Sequence, residues 1–489
     1  MKRCTRREFI KVLGLGAAYC TLPGCTGADG ALSGGPRQSR PNFVFIFIDD
    51  MGWKDVGFMD SKYYETPNID KLAGEGVVFT SAYANAPNCA PSRACLMSGQ
   101  YTPRHGIYTV GSSERGAAHL RKLVPIKNNT TLDPRVVTIA EALKSAGYVT
   151  ASIGKWHLGT GADTGPEGQG FDVSIAGGRT GATRRHFSPY SLDNLPDGPE
   201  GEYLTDRLTD EALKFIEANR DKTFFLYLSH YAVHTPIQAK KAITEKYEKK
   251  EPDGGQKNPK FAAMVESVDQ CVGRVMKRLD ELGLRDDTVV FFFSDNGGVF
   301  GITSMEPLRG GKGTLYEGGI REPMIVRWSG KVEGGCVSDV PVIAIDFYPT
   351  MLEMAGAAKP AGHILDGESI VPLLKGEKSL KRDAIFWHFP AYLQRNYGWK
   401  ETWRTTPASV VRQGDWKLIE YFEDGRLELY NLKDDIGEQN NLVQAMPEKA
   451  GQLHELLKRW RRSLNAPVPT ELNPEYKPEG QWVQNTGKD

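Results

Sequence analysis

Seven residues, Asn42–Ile48 (NFVFIFI), leave the chain few ways to fold. A half-exposed strand alternates apolar and polar side chains; this run does not alternate. A continuous apolar run rich in aromatic and β-branched residues is the pattern of a central strand covered on both faces. It stops abruptly at Asp49 and Asp50. Four further runs behave the same way. Residues 289–293 (VVFFF) end in Ser294, Asp295, Asn296, Gly297 and Gly298. Residues 224–228 (FFLYL) run into His230 and His234, and 148–153 run into Gly154, Lys155, Trp156 and His157. Residues 324–328 (MIVRW) make the fifth. Apolar residues at helical spacing lie between them at 136–146, 204–219 and 261–282; Gly147 and Gly283 close the first and last. Strands alternating with helices predict an α/β fold, a large mostly parallel sheet sandwiched by helices. In such sheets sites form beyond the carboxyl ends of the strands, where the polar clusters after the first four runs stand.

Beyond about residue 380 the texture changes. Residues 416–422 and 427–432 alternate around the turn Glu423, Asp424, Gly425 and Arg426, as a hairpin does. Residues 447–464 read as a basic amphipathic helix, and the stretch from Ala466 is proline-rich and expected to wrap the surface. A smaller C-terminal α+β subdomain follows, an antiparallel sheet plus one helix. The expected organisation is a catalytic domain at 42–380 and a C-terminal subdomain and tail at 381–489.

With 489 residues, 40% of them hydrophobic and 25% charged, the chain can bury a large core. Sixty-one basic residues balance sixty-one acidic ones, which removes any electrostatic reason to expect nucleic-acid binding. Seven cysteines do not make a disulfide scaffold in a chain this long, and no apolar run reaches the ~18 residues of a membrane span.

The first residues read as an address. Arg6 and Arg7 precede Phe9, Ile10 and Lys11, an arrangement that resembles a bacterial twin-arginine export signal. Residues 12–22 form a short apolar region, and Leu22, Pro23, Gly24 and Cys25 resemble a lipobox, with Cys25 the lipidated residue. Residues 1–24 are thus expected to be a signal peptide and 25–41 a flexible tether. The expectation is an exported protein, periplasmic or held at the outer membrane or cell surface as a lipoprotein. A plainly cleaved signal and an uncleaved anchor are the alternatives.

Asp49, Asp50, Asp295 and Asn296 offer only oxygen ligands, which select Ca²⁺ or Mg²⁺ over Zn²⁺. Nine histidines form no zinc pattern. One acidic pair alone more often caps a loop or helix; two pairs at the ends of two buried strands favour a cation. Calcium is preferred, magnesium less so. Cys89 stands beside Pro91, Ser92 and Arg93 at the start of an expected helix, where the helix N-terminus and the arginine favour an anion. By spacing alone, a Cys89–Cys95 disulfide or two buried thiols explain the segment as well.

Cys89, Pro91, Ser92 and Arg93 (Cys-x-Pro-Ser-Arg) resemble the maturation signature of the formylglycine-dependent sulfatases, in the alkaline-phosphatase superfamily. The resemblance continues through Asp49 and Asp50, Gly154 to Gly159, His234-Thr235-Pro236, Ser294 to Gly298 and Gly311 to Gly319, and covers nearly all of residues 42–460. It implies that Cys89 is oxidised by a formylglycine-generating enzyme to an aldehyde whose hydrate is the nucleophile. The metal ligands would be Asp49, Asp50, Asp295, Asn296 and the matured Cys89. Arg93 and Lys155 would hold the activated hydroxyl, and Lys155, His234 and Lys312 would neutralise the sulfuryl oxygens. His234 or Lys312 would protonate the leaving alcohol, and His157 would deprotonate the second hydroxyl, so that sulfate leaves without water attacking sulfur. Arg309 lies near enough to Lys312 to reach substrate. His230 lies outside the family motif and reads as packing.

The leading expectation is a sulfuric-ester hydrolase acting on a sulfated, galacto-configured carbohydrate. Trp387, His388, Phe389, Tyr392, Trp399 and Trp403 either line a sugar cleft or pack the subdomain against the main domain. A phosphonate or phosphate ester hydrolase of the same superfamily, and an inactive glycan-binding lipoprotein, are the alternatives.

Overall fold

The computed structural model describes residues 2–3, 40–395 and 398–477. The expected signal cleavage site, Cys25 and most of the tether lie outside the described residues.

Among the described residues ten strands make the main sheet: β1 (Lys2–Arg3), β2 (Asn42–Ile48), β3 (Val77–Tyr83), β4 (Val149–Gly154), β5 (Val173–Ile175), β6 (Phe224–Ser229), β7 (Thr288–Ser294), β8 (Arg321–Trp328), β9 (Cys336–Ser338) and β10 (Val342–Ile343). Their order is β1-β9-β3-β8-β7-β2-β6-β4-β5, with β10 beside β3. All pairings are parallel except those of β8, which runs antiparallel to β3 and β7. Strand β3 carries no run of the kind read above, because its polar Thr80 and Ser81 interrupt the apolar pattern.

Eight helices of seven or more residues are described: α1 (Pro67–Glu75), α2 (Cys89–Ser98), α3 (Ile139–Ser145), α4 (Leu204–Ala218), α5 (Lys241–Tyr247), α6 (Pro259–Glu281), α7 (Phe347–Ala355) and α8 (Pro447–Ser463). The doubly covered strand is realised in β2. Val44, Ile46 and Ile48 enter one core, with residues of α1, α4 and α6; Phe43, Phe45 and Phe47 enter the other, with residues of α2, α3 and α7. Alternation of side chains across a strand splits one apolar run between two layers. Phe45 and Phe293 meet the Phe347 ring of α7 at 4.9 and 5.1 Å.

The C-terminal region forms a second sheet, order β11-β14-β15-β16, from β11 (Ala384–Phe389), β14 (Ala408–Gln413), β15 (Trp416–Tyr421) and β16 (Leu427–Asn431), with β12 (Leu393–Gln394) and β13 (Trp403–Thr405) as a separate ribbon. Helix α8 packs on it through Ala450, Leu453 and Leu457. Its core is continuous with Tyr83, Tyr316 and Ile320 of the main domain. The chain after α8 lies along residues 118–124, where Asn473 bonds Ala118, Arg121 and Lys122. Among the aromatic residues of this region, Trp387, His388, Phe389 and Tyr392 are buried in packing, whereas Trp399 and Trp403 stay partly exposed.

Candidate active site

Strand register sets the site. Ile48 lies opposite Ser294, Phe47 opposite Ser229, and Gly154 opposite the same Ser229. The next residues of the three neighbouring strands β7, β2 and β6, and of β4 beyond, therefore emerge at one level. Backbone bonds extend the ladder past the strand ends, from Asp295 to Ile48 at 3.0 Å and from Lys155 to Ser229 at 2.8 Å. Strand β8 runs the other way, so the glycine-rich segment entering it arrives at this same edge. There Lys312 N donates to Gly298 O at 2.9 Å.

Charged side chains converge beneath this edge. Lys155 Nζ donates to Asp49 Oδ2 at 2.6 Å, and Arg93 Nε and Nη2 donate to Asp295 Oδ2 at 2.9 and 2.6 Å. Lys312 Nζ pairs with Asp50 Oδ1, which also accepts from Asn296 Nδ2 at 2.8 Å. Cys89 is the first residue of α2, and its sulfur lies with oxygens of Asp49 and Asp295 in a group spanning at most 4.8 Å. Asp49, Asp50 and His234 form a second such group.

The donor set fits a hard cation. Asp49 Oδ1, Asp50 Oδ2 and Asn296 Oδ1 are buried and accept no hydrogen bond from any described residue. Buried oxygens are rarely left so unless something absent from the protein chain satisfies them. Burial first, and Asp295 next, push the Asp49 carboxyl well above the usual carboxylate range. A cation would take the place of that proton. Burial opposes ionisation of Asp50 too, but the charge and hydrogen bond of Lys312 hold it well below its ordinary value.

The floor of the site is closed and its rim is open. Asp49, Arg93, Lys155 and Asp295 are fully buried, while the side chains of His234 and Lys312 keep 18% and 12% of their surface exposed. His157 sits beside them, partly exposed, with Nδ1 unpaired. Burial, and then Lys155, hold His157 well below the ordinary histidine value; burial and Lys312 push His234 down to about 3. Both imidazoles are therefore neutral, and His234 Nδ1 meets the Thr235 carbonyl at 2.7 Å. That contact leaves Nε2 facing Asp50 Oδ2 at 3.7 Å.

Asp50 and His157 adopt left-handed backbone angles, with φ of 65° and 64°. Side-chain-bearing residues hold this conformation only where their surroundings impose it. The His157 ring packs against Gly181, where a side chain would overlap it.

All the expected catalytic and metal-binding residues are thus brought together. Arg309 is held elsewhere: its guanidinium lies 3.8 Å over the Tyr316 ring and donates to Tyr430 Oη at 3.1 Å and Glu438 O at 3.0 Å. Cys89 and Cys95 are both buried and form no disulfide with each other. The two sit six residues apart on α2, facing different sides, and Cys95 Sγ lies 3.4 Å from His105 Nε2. His230 is buried with neither ring nitrogen paired to a described residue. Sequence reasoning passed over Tyr227 and Ser229, which with Lys155 O position Arg93 Nη1 at 3.4, 2.5 and 3.1 Å. The only available signal was Ser229 closing an otherwise apolar strand.

The sulfatase family profile matches residues 41–357, and a profile described as N-sulphoglucosamine sulphohydrolase, C-terminal, matches 311–464. A sulfatase of Formosa agariphila is 34% identical over 92% of this chain and 92% of its own. The N-acetylgalactosamine-6-sulfatase of Mus musculus is also 34% identical, over 71% of this chain and 69% of its own. Among solved structures, that of Ps i-CgsB superposes with a TM-score of 0.73 at 29% identity, covering 89% of this chain and 95% of that one; it is also solved with k-i-k-neocarrahexaose bound. An acidic, cation-ready strand edge around Cys89, set in this fold and matched over most of its length, makes the chain a member of the sulfatase family, hydrolases of sulfuric esters within the alkaline-phosphatase superfamily.

Proposed function

We propose that this enzyme releases sulfate from a sulfated carbohydrate of galacto configuration, with Cys89 matured to formylglycine and Ca²⁺ at the acidic edge. The observation that carries this reading is the set of unpaired oxygens of Asp49, Asp50 and Asn296 grouped beside Cys89 and flanked by Arg93, Lys155 and Lys312. The names of the N-acetylgalactosamine-6-sulfatase relatives support the choice of sugar.

Asp49, Asp50, Asp295 and Asn296 would hold the cation, which supplies charge to acidify the nucleophile's hydroxyl and to draw in a sulfate oxygen. The hydrate of formylglycine at position 89 supplies that hydroxyl. The remaining chemistry belongs to the chain's own side chains. Arg93, fixed by Asp295, Ser229 and Tyr227, holds its charge toward position 89. Lys155 and Lys312 neutralise charge building on the sulfuryl oxygens; their charges are already fixed in place, so little reorganisation is needed. His234 presents Nε2 on the open rim. An arriving sulfate anion raises the affinity of that nitrogen for a second proton, which it then delivers to the leaving oxygen. His157, neutral and with Nδ1 unpaired, takes the proton of the second hydroxyl as sulfate departs.

Export by the twin-arginine route with lipidation at Cys25 places the enzyme in the periplasm or at the cell surface in this reading. Membrane retention lost on Cys25→Ser tests it.

The test of function is free sulfate released from sulfated galactans, glycosaminoglycans and their monosaccharides, by protein co-expressed with a maturation enzyme. Release from a galacto-configured substrate, with the Cys89 peptide carrying the aldehyde mass, is the expected result. A confirmed aldehyde with no sulfate released from any of them would overturn the reading.

A further inference from the structure

The ribbon of β12 and β13 lays a second cationic group beside the site. Arg404 Nη1 donates to the backbone carbonyl of Lys312 at 3.2 Å, and Arg404 Nε donates to Gln394 O at 2.9 Å. Gly313 permits this approach, since a side chain there would lie 2.7 Å from Arg404 Nη1. Arg115 comes from the other direction, with Nε donating to Gln394 Oε1 at 3.3 Å and Nη1 to Val110 O at 3.2 Å.

One residue, Gln394, therefore pins two guanidiniums side by side. Neither has a described carboxylate within ion-pair distance, whereas most arginines described in this protein do. Burial and then Arg115 lower Arg404 to about 10, against the weaker pull of Asp50, so the two guanidiniums oppose each other. Like charges held together without a counter-ion are unfavourable unless a ligand supplies one. Both groups remain partly open to solvent. The forked donors of a guanidinium match sulfate and carboxylate oxygens.

We infer that Arg404 and Arg115 form an anion subsite that reads a second negative group of the substrate, a further sulfate or a uronate carboxylate, next to the sulfate being cleaved. The inference rests on the sulfatase reading of the neighbouring site, and it makes Arg404 a specificity residue contributed by the C-terminal subdomain.

Calorimetric titration of the full chain tests it, in a Cys89→Ala background so that ligand is not consumed. The probes are galactose 6-sulfate, galactose 2,6-disulfate and a 6-sulfated N-acetylgalactosamine–glucuronate disaccharide. At least one doubly anionic probe should bind about tenfold tighter than the monosulfate, the effect of one charge-assisted contact. A gain with the disulfate identifies sulfate as the second group; a gain with the disaccharide identifies carboxylate. Arg404→Gln should bring that ratio close to one, Arg115→Gln should lower it, and Arg404→Lys should keep part of it. Arg115 bonds Gln394 and Val110 rather than the Lys312 backbone, so its variant reads the subsite even if Arg404→Gln disturbs that loop. Equal weakening of singly and doubly anionic ligands in both glutamine variants would reduce the pair to a structural clamp and overturn the inference. So would a ratio near one in the unsubstituted subsite. Because binding is read without turnover, failure here is distinct from absence of sulfate release by the matured enzyme.

Discussion

Two buried charge clusters draw on the segment Gly311 to Gly319, one through Lys312 and the other through Glu317, and they are built differently. At the strand edge, Asp49, Asp50, Asp295 and Asn296 face Arg93, Lys155 and Lys312, and three of the oxygens stay unpaired. At the junction with the C-terminal sheet, Lys417 sits between two carboxylates, 2.9 Å from Glu317 and 2.8 Å from Glu438. Glu317 also accepts from Tyr83 at 2.6 Å and from Arg321 at 3.2 Å, and Glu438 accepts from the Glu317 backbone at 2.7 Å. Arg412 closes the junction on Tyr83. Both clusters are almost wholly removed from water. The first leaves one oxygen each of Asp49, Asp50 and Asn296 without a hydrogen bond, the Arg93 guanidinium standing 4.0 Å from that of Asp49, whereas in the second even Glu438 Oε1, which accepts no hydrogen bond, lies 2.8 Å from Lys417 Nζ. Burial of charge alone therefore does not distinguish a reactive site from a joint; a group of leftover acceptors does, where the joint's leftover oxygen lies against a lysine.

Cys89→Ala should produce the largest effect and separate the two clusters most cleanly. Sulfate release should fall by about 10⁴-fold or more, since a nucleophile acts as a unit with its partners. Thermal unfolding should barely move, because Cys89 makes no ion pair that the fold depends on. Appreciable residual turnover would sink the nucleophile assignment.

Lys417→Met is the mirror experiment. It leaves Glu317 and Glu438 buried without their shared cation, and should destabilise the fold by about 3–5 kcal/mol. Denaturant unfolding reads this directly, and the protein that stays folded should retain its turnover per active centre. An unchanged midpoint would mean that the junction is not held by charge.

Removal of metal comes next. Chelation should abolish activity, and calcium should restore it. At a hundredfold excess over its dissociation constant calcium should also add about 2.7 kcal/mol of stability. The melting temperature with and without calcium measures that gain, and in Asp49→Asn the gain should shrink. Restoration by zinc alone would overturn the choice of cation.

The smallest effect is one of pH. Burial raises Glu438 from its ordinary 4.5 to about 7, against the pull of Lys417. The folded protein thus binds this proton more tightly than the unfolded chain does. That contribution to stability is complete below about 4.5 and is lost as pH rises towards 7. Glu317 runs the opposite way: burial opposes it, but Lys417 and Arg321 lower it to about 2, so its contribution fades only as pH falls below 4.5. Glu438→Gln should flatten the decline in melting temperature between pH 5 and 7. An identical slope in the variant would assign the titration elsewhere.

Much of the strand edge was legible before any coordinates. Asn42–Ile48 could only be a doubly covered strand, and residues just past the end of such a strand emerge together with those of its parallel neighbours. Asp49, Lys155, His234 and Asp295 follow from that regularity, because strand periodicity is local and survives in the order of residues. The Cys89 signature carried the chemistry in five consecutive positions. Arg309 misled because nearness in sequence to Lys312 says nothing about direction, and its guanidinium turned to Tyr316 and Tyr430.

The sequence by itself determined the layered α/β core, the edge on which the acidic pairs appear and the family to which they belong. These depend on short-range pattern: apolar runs, their abrupt polar ends and a contiguous motif. Only the tertiary structure decided that β8 turns antiparallel and so delivers Lys312 to that edge. It alone set Glu317 on Lys417 about a hundred residues away, and brought Arg115 and Arg404 to one glutamine. Those contacts join segments whose separation carries no periodic signal. Their geometry exists only once the two sheets have packed against each other.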